Sequence, residues 1–405
     1  MTEVVVTGLG ATTPLGGDVA STWESLTAGK SGVGPLTQEW AAELPVRIAA
    51  QLAVEPSEVL PRVRLRRLDR SEQIALIAAK EAWDDAGIGD ELDRERLGVV
   101  FGSGIGGATT LLDQDDILEE KGARRVSPFT VPMLMPNGPA AVVGLEFHAK
   151  AGVHAPTSAC ATSAEAISWA ADMIRVGRAD VVIAGGAEAV IAPLPIAGFA
   201  SMKAMSTRND DPQRASRPWD QDRDGFVMGE GGGSLILERR DRAEARGARI
   251  YAVVAGSGLT SDGYDIVQPD PDCAGGARAM QAAIKQAGID PKEIGHVNAH
   301  ATSTPVGDMA EVKGIKRVIG DHVVLAGTKS MTGHLLGGAG AVESIATIMA
   351  IVDGIIPPTI NLDNPDPLLD LDVAANEARK VDLTAAMNTA FGFGGHNAAI
   401  LFTKA

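Results

Sequence analysis

The chain has 405 residues, 45% hydrophobic and 22% charged, so it holds enough apolar material for a large core and global disorder is excluded. Its 36 basic and 52 acidic residues give a net charge of -16, which argues against nucleic acid or an anionic membrane as partner. Cys160 and Cys273 belong to no CxxC pair, which excludes a disulfide framework and a structural zinc site.

The N-terminus passes directly into Val4-Val5-Val6, with no basic region or apolar leader, and predicts a cytoplasmic protein. Leu97 to Phe101, Val181 to Ala184 and Leu235 to Leu237 also read as buried strands bounded by glycine. Glu72 to Ala86 and Ser163 to Val176 carry apolar residues at three-to-four spacing and read as helices. That alternation predicts an α/β protein with a substantially parallel sheet.

Gly102-Ser103-Gly104-Ile105-Gly106-Gly107 satisfies the dinucleotide pattern GxGxxG after a strand. The pattern also needs a second strand, ending in an acidic residue about 20 positions on. An acidic helix, Asp113 to Glu120, stands there instead, so these glycines are read as a tight turn. The charge-free run Val126 to Leu145 is broken by Pro128, Pro132, Pro136 and Pro139, which excludes a continuous membrane-spanning helix.

Thr157-Ser158-Ala159-Cys160-Ala161-Thr162-Ser163 places a cysteine among small residues at the start of a helix. The positive end of the helix and its free N–H groups predict a lowered thiol pKa and a nucleophilic role. The competing reading is a buried cysteine acting as a small hydrophobe. From Arg249 the pattern restarts: Arg249 to Gly258 resembles Val4 to Gly10, each a strand entering a glycine turn. A helix (Gly275 to Ala287) and the strands His296 to Asn298 and Val323 to Ala326 follow. Two related halves, 1–245 and 246–405, are expected, joined by the charged helix Arg239 to Arg246.

In the second half His300 and His334 each follow a strand, where ligand sites of such sheets lie. Glu311, on the helix after His300, is expected to pair with Lys329 and so fix the loop carrying His334. His148, His154, His296 and His322 are read as structural. Phe391-Gly392-Phe393-Gly394-Gly395-His396-Asn397 is either an ordinary turn between strands or a loop offering N–H donors to an oxyanion, with Phe393 as a gate.

Thr157 to Ser163, His300 to Pro305 with Gly307-Asp308, Lys329 to His334 and Phe391 to Asn397 resemble the active-site signatures of β-ketoacyl-acyl carrier protein synthases. Arg217-Pro218-Trp219-Asp220 with Arg223 to Glu230 resembles a further block, and the likeness runs in family order from Val4 to Phe402. It is closest to the chain-elongating, type II enzymes. The resemblance implies a duplicated thiolase-like fold, layered αβαβα with two packed mixed sheets, and a homodimer. It further implies decarboxylative condensation of an acyl chain with malonyl-acyl carrier protein, with no metal or redox cofactor.

Carried over by position, Cys160 is the acyl-accepting nucleophile, and His300 and His334 support malonyl decarboxylation and the enolate. Lys329 and Glu311 organise them, and the N–H groups of Cys160 and Phe393 form the oxyanion hole. Thr302 and Thr304 bind the pantetheine arm; Ile105 and Phe199 wall the acyl pocket. Ala301 and His396 depart from the glycine and threonine common in the family. A coenzyme A thiolase would need a second active-site cysteine where Gly394 to Asn397 stand, and a type III condensing enzyme an asparagine in place of His334. A non-condensing partner subunit would lack Cys160. A ketosynthase of a polyketide or other specialised pathway shares the motifs and is the alternative reading. Because acyl carrier proteins are acidic, docking on this acidic chain needs a local basic face, for which Arg66, Arg67, Arg124, Arg125, Lys203 and Arg208 are the candidates.

Overall fold

The strand that begins at Val4 does not stop at the glycines that follow. In the computed structural model, which describes residues 2–89 and 91–405, it runs through Val4–Thr12 and is buried throughout. Burial on both faces suits a run of apolar and small residues without alternation. Gly8 and Gly10 stay inside the strand because helix Arg70–Ala86 lies directly on them: a Cβ at either would stand 2.1 or 2.0 Å from the carbonyl oxygens of Ala82 and Ala78. The second half repeats this. In strand Ala252–Ser261, a Cβ on Gly256 or Gly258 would stand 2.1 or 2.0 Å from the carbonyls of Ala283 and Ala279 in helix Ala274–Ala287. What reads in the sequence as two glycine turns is a pair of equivalent strand–helix packing seams.

The strands of the first half are β1 (Val4–Thr12), β2 (Leu97–Gly102), β3 (Gly152–His154), β4 (Val181–Glu188) and β5 (Gly231–Arg239). Those of the second are β6 (Ala252–Ser261), β7 (Ile294–Asn298), β8 (Val324–Ala326), β9 (Ala385–Gly392) and β10 (His396–Thr403). Across the sheet the first half runs β3-β2-β4-β5-β1 and the second β8-β7-β9-β10-β6. In both, the order is third, second, fourth, fifth, first, and the fifth strand is antiparallel to both neighbours. Identical topology in both halves makes the fold a duplication. The two mixed sheets are linked at their first strands by a short antiparallel bridge, Val5 to Val253 and Val6 to Ala252, which makes one ladder of 11 strands with the edge strand Asp372–Val373.

The covering helices are α1 (Arg70–Ala86), α2 (Gly138–Glu146), α3 (Thr162–Arg175), α4 (Ala274–Ala287), α5 (Pro305–Val318) and α6 (Ala339–Asp353). α1 and α2 cover the outer face of the first sheet, α4 and α5 that of the second, and α3 and α6 lie between the sheets. The result is the layered αβαβα arrangement. α1 begins on a capping box, in which Asp69 accepts from the Ser71 N–H at 2.8 Å and Glu72 from the Asp69 N–H at 2.8 Å. The segment Leu336–Asp353 is apolar and long enough to cross a membrane, yet 83% of it is buried as the central helix of the sandwich. Ser163 Oγ accepts the Ala341 N–H at 2.9 Å and fastens the start of α3 to α6. This joins the two halves beside the cysteine.

Candidate active site

Cys160 sits in the turn Ala159–Ala161 that leads into α3. The Thr162 hydroxyl locks the turn, accepting the Ser158 N–H at 2.9 Å and donating to the Ala159 carbonyl at 2.7 Å. Ala159, immediately before the cysteine, is held at a left-handed φ of 49°, a conformation that costs a non-glycine residue about 1–2 kcal/mol. The β9–β10 hairpin presses on this turn. A Cβ on Gly392 would stand 2.4 Å from the Ser158 carbonyl oxygen, so the position has room only for glycine. Phe393, on the same hairpin, lines the cleft together with Cys160. The expectation of a lowered thiol pKa is not met: burial pushes the Cys160 thiol up to about 12, against the opposing pull of Lys329 and the Phe393 N–H. Desolvation outweighs the helix end here, and the Cys160 thiol is neutral at rest.

His300 and His334 come from the loops after β7 and β8, and their rings meet edge to face with centroids 5.4 Å apart. Burial first, and then the Lys329 ammonium, hold both well below the ordinary histidine range, so both are neutral imidazoles. The Leu336 N–H donates to His334 Nδ1 at 3.3 Å, and Lys329 Nζ faces His300 Nδ1 at 3.4 Å. With both Nδ1 atoms accepting, both protons sit on Nε2. The pair therefore presents two neutral N–H donors.

Lys329 does not pair with Glu311. Its ammonium donates to the His300 carbonyl at 2.7 Å and forms a buried ion pair with Glu343 on α6. Glu311 instead accepts the N–H groups of His300 at 2.8 Å and Ala301 at 2.9 Å, and the Thr389 hydroxyl at 2.7 Å. It clamps the histidine loop by its backbone, and Ala301 sits there at a φ of 36°. Side-chain exposures of 1% and 4% at Lys329 and Glu343 make this a pair whose breakage costs about 3–5 kcal/mol. Lys329→Met is expected to lose that much in urea unfolding, and Lys329→Met/Glu343→Gln to recover most of it without recovering activity. An unchanged midpoint for the single variant would contradict the pairing.

A cleft lined by Cys160, His300, His334, Phe393, Thr302 and Thr304 brings the main predicted groups together, with Phe199, Glu311 and Lys203 also in its wall. The Thr302 and Thr304 hydroxyls are 3.1 Å apart. The rings of His334, Phe226, Phe199 and Phe393 follow one another with centroid separations of 5.5, 5.4 and 6.1 Å. Ile105 is outside this lining and 41% exposed. Its N–H, those of Gly104 and Gly337 and the Ser103 hydroxyl all converge on the buried carboxylate of Glu188. The donors that a GxGxxG turn would offer a pyrophosphate are thus used on the chain's own anion.

Sequence reasoning missed Glu343, Glu188 and Phe226. Glu188 is the one charge in β4, and Glu343 the one charge in α6 before its last residue, Asp353; a lone charge inside an apolar element is the signal that a buried partner exists. Of the basic candidates, only Lys203 lines the cleft. Arg66, Arg67, Arg124 and Arg125 are exposed. Arg67 lies over the Phe129 ring at 5.3 Å, which brings its segment against the one that follows Arg125. Arg208 is partly withdrawn and donates to the Asp222 carbonyl at 3.0 Å.

Comparison with known proteins follows the same geometry. The family model described as "Beta-ketoacyl synthase, N-terminal domain" matches residues 1–243, and "Beta-ketoacyl synthase, C-terminal domain" matches 251–363. A Synechocystis protein named 3-oxoacyl-[acyl-carrier-protein] synthase 2 is 44% identical, over 99% of this chain and 98% of its own. A Mycobacterium bovis protein of the same name is 48% identical, over 99% and 97%. Among solved structures, a beta-ketoacyl synthase from Burkholderia phymatum superposes with a TM-score of 0.93 at 36% identity, covering 100% of both chains. A type II polyketide ketosynthase, solved with its acyl-carrier protein and a bound hexaketide, superposes at 0.92 with 32% identity, again over 100% of both.

Proposed function

The chain belongs to the beta-ketoacyl synthase family, and on that premise we propose that it condenses a Cys160-bound acyl chain with malonyl-acyl carrier protein in fatty acid elongation. The observation that carries this reading is the convergence of a buried thiol and two neutral histidine N–H donors in one cleft. In the first half-reaction the Cys160 sulfur attacks the carrier thioester, a new thioester forms, and the carrier thiol leaves with the proton. The N–H groups of Cys160 and Phe393 face the developing oxyanion. In the second, malonyl loses CO2, and its enolate oxygen is held by His300 and His334 through Nε2–H. The enolate carbon attacks the acyl-enzyme carbonyl, and the cysteine sulfur leaves and takes up a proton. No net oxidation occurs, so the balance calls for no redox cofactor; the phosphopantetheine arm belongs to the substrate.

Thr302 and Thr304 bind that arm, and Phe199 contributes to the wall of the acyl pocket. Ile105 reaches the pocket only if a second chain or a side-chain movement encloses it. We place the protein in the cytoplasm, as a homodimer; the dimer reading rests on the edge strand β3, whose outer side has no strand partner among the described residues and whose Val153 is exposed. A monomeric mass in sedimentation would contradict it. Identity of 44–48% to proteins named 3-oxoacyl-[acyl-carrier-protein] synthase 2, against 32% to the polyketide enzyme, favours the fatty acid pathway over the specialised one.

The test is product analysis. Acyl and malonyl carrier thioesters should give a 3-oxoacyl thioester two carbons longer, with CO2, and release of malonate without chain growth would overturn the proposal. In the same assay, Arg66→Glu/Arg67→Glu is expected to raise KM for carrier-bound substrate by about tenfold, and much less for an acyl-pantetheine. Equal effects on both would remove the docking face.

A further inference from the structure

Of the block Arg217 to Gly225 only Gly225 is in the cleft lining, yet the block holds the loop that carries Thr302 and Thr304. Arg223 is the centre of this attachment, with its side chain 4% exposed. Its Nε donates to the Thr304 carbonyl at 3.2 Å and its Nη2 to the Pro305 carbonyl at 2.8 Å. Nη1 donates to the Asp220 carbonyl at 2.7 Å and to Asp366 at 2.9 Å. Asp308, 3.6 Å from Arg223 Nε, holds the same loop from its N–H side, accepting from Ser303 at 3.1 Å and Thr304 at 3.3 Å. The other oxygen of Asp308 accepts the Trp219 N–H at 3.0 Å. Ser303 is held at a left-handed φ of 69°, with its carbonyl accepting the Gly225 N–H at 3.1 Å and its hydroxyl the Arg217 N–H at 3.0 Å.

A serine in that conformation persists only where its surroundings over-determine it. Here they do so from both sides: carbonyls of the loop bind a planar guanidinium, and its N–H groups bind a carboxylate. A guanidinium suits this task because its donors lie in one rigid fork, whereas an ammonium offers a point charge. We propose that Arg223 is a positioning residue that sets the placement of the Thr302 and Thr304 hydroxyls, and thereby the affinity for the pantetheine arm, without touching substrate. The inference rests on the assignment of those hydroxyls to the arm.

The test is a coupling experiment on the acyl-transfer step, with an acyl carrier thioester as the probe. Arg223→Lys is expected to raise KM about tenfold, while the rate of Cys160 alkylation by iodoacetamide changes less than about twofold, as for a residue acting only through the loop. In a Thr302→Ala/Thr304→Ala background, adding Arg223→Lys should change KM by less than about twofold, because coupled residues are not additive. Should Arg223→Lys fail to fold, Asp366→Asn loosens the same guanidinium from outside and is expected to raise KM about threefold with the same loss of effect in the threonine-free background. An unchanged KM in folded Arg223→Lys, or an equal rise with and without the threonines, overturns the inference. If the alanine pair alone leaves KM unchanged, the assignment of the hydroxyls to the arm falls, and this inference with it.

Discussion

Cys160→Ala protein incubated with an acyl carrier thioester keeps its unmodified mass, while the wild-type chain gains one acyl group. The expectation follows from the site: among the described residues Cys273 is the other cysteine, and it is buried with a thiol likewise pushed up to about 12. Loss of a covalent nucleophile costs about four to six orders of magnitude in turnover, so acyl transfer should fall below detection. Malonyl decarboxylation should survive in part, because the His300 and His334 donors remain. An acyl adduct on the variant would sink the assignment of Cys160. The height of the thiol pKa adds a second reading: wild-type alkylation should keep accelerating as pH rises beyond 9, since the thiolate fraction is still growing there. A plateau near neutrality would show a thiolate stabilised at rest, contrary to its buried setting.

The sequence marked the chemistry more clearly than the forces around it. Cys160 announces itself by its small neighbours and helix start, and His300 and His334 by their place after strands. Those are local signals. Lys329, by contrast, has a carboxylate on each of two helices within chain reach, and nothing local says which one it meets. Glu311 is turned toward the backbone of His300 and Ala301, so Lys329 goes to Glu343. The charge state of Cys160 departs from its local sequence signal for a similar reason. A helix end is visible in sequence, whereas the burial that outweighs it is contributed by residues distant in the chain, Phe226 and Leu336 among them. The repeated glycines near Val6 and Val254 were seen, but their purpose, the close seating of α1 and α4, depends on a third dimension that periodicity does not carry.

His300→Ala is expected to acylate normally and to lose condensation by about two to three orders of magnitude, the usual effect of deleting one donor aimed at a developing oxyanion. On the proposed mechanism the two half-reactions separate, because acyl transfer is assigned to the N–H groups of Cys160 and Phe393 and the enolate to the imidazoles. His300→Gln places an amide N–H near the position of Nε2 and should retain more activity than His300→Asn, whose amide falls nearer Nδ1. The order of these two variants tests the tautomer directly. The pH dependence tests the charge state. Both imidazoles are held neutral well below the ordinary range by burial and by Lys329, so wild-type condensation should show no histidine titration between about pH 6 and 8. A step near 6.5 that disappears in His300→Gln would mean that an imidazolium, and not a neutral donor, serves the reaction. The same depression fixes the sign of the effect of acid on stability. Below about pH 6.5 the unfolded chain takes up protons that the folded histidines refuse, so stability falls as pH is lowered through that value. Replacing His334 by glutamine should therefore flatten the acid limb of the unfolding curve while impairing condensation, a pairing of effects expected only of a buried, neutral, catalytically used imidazole.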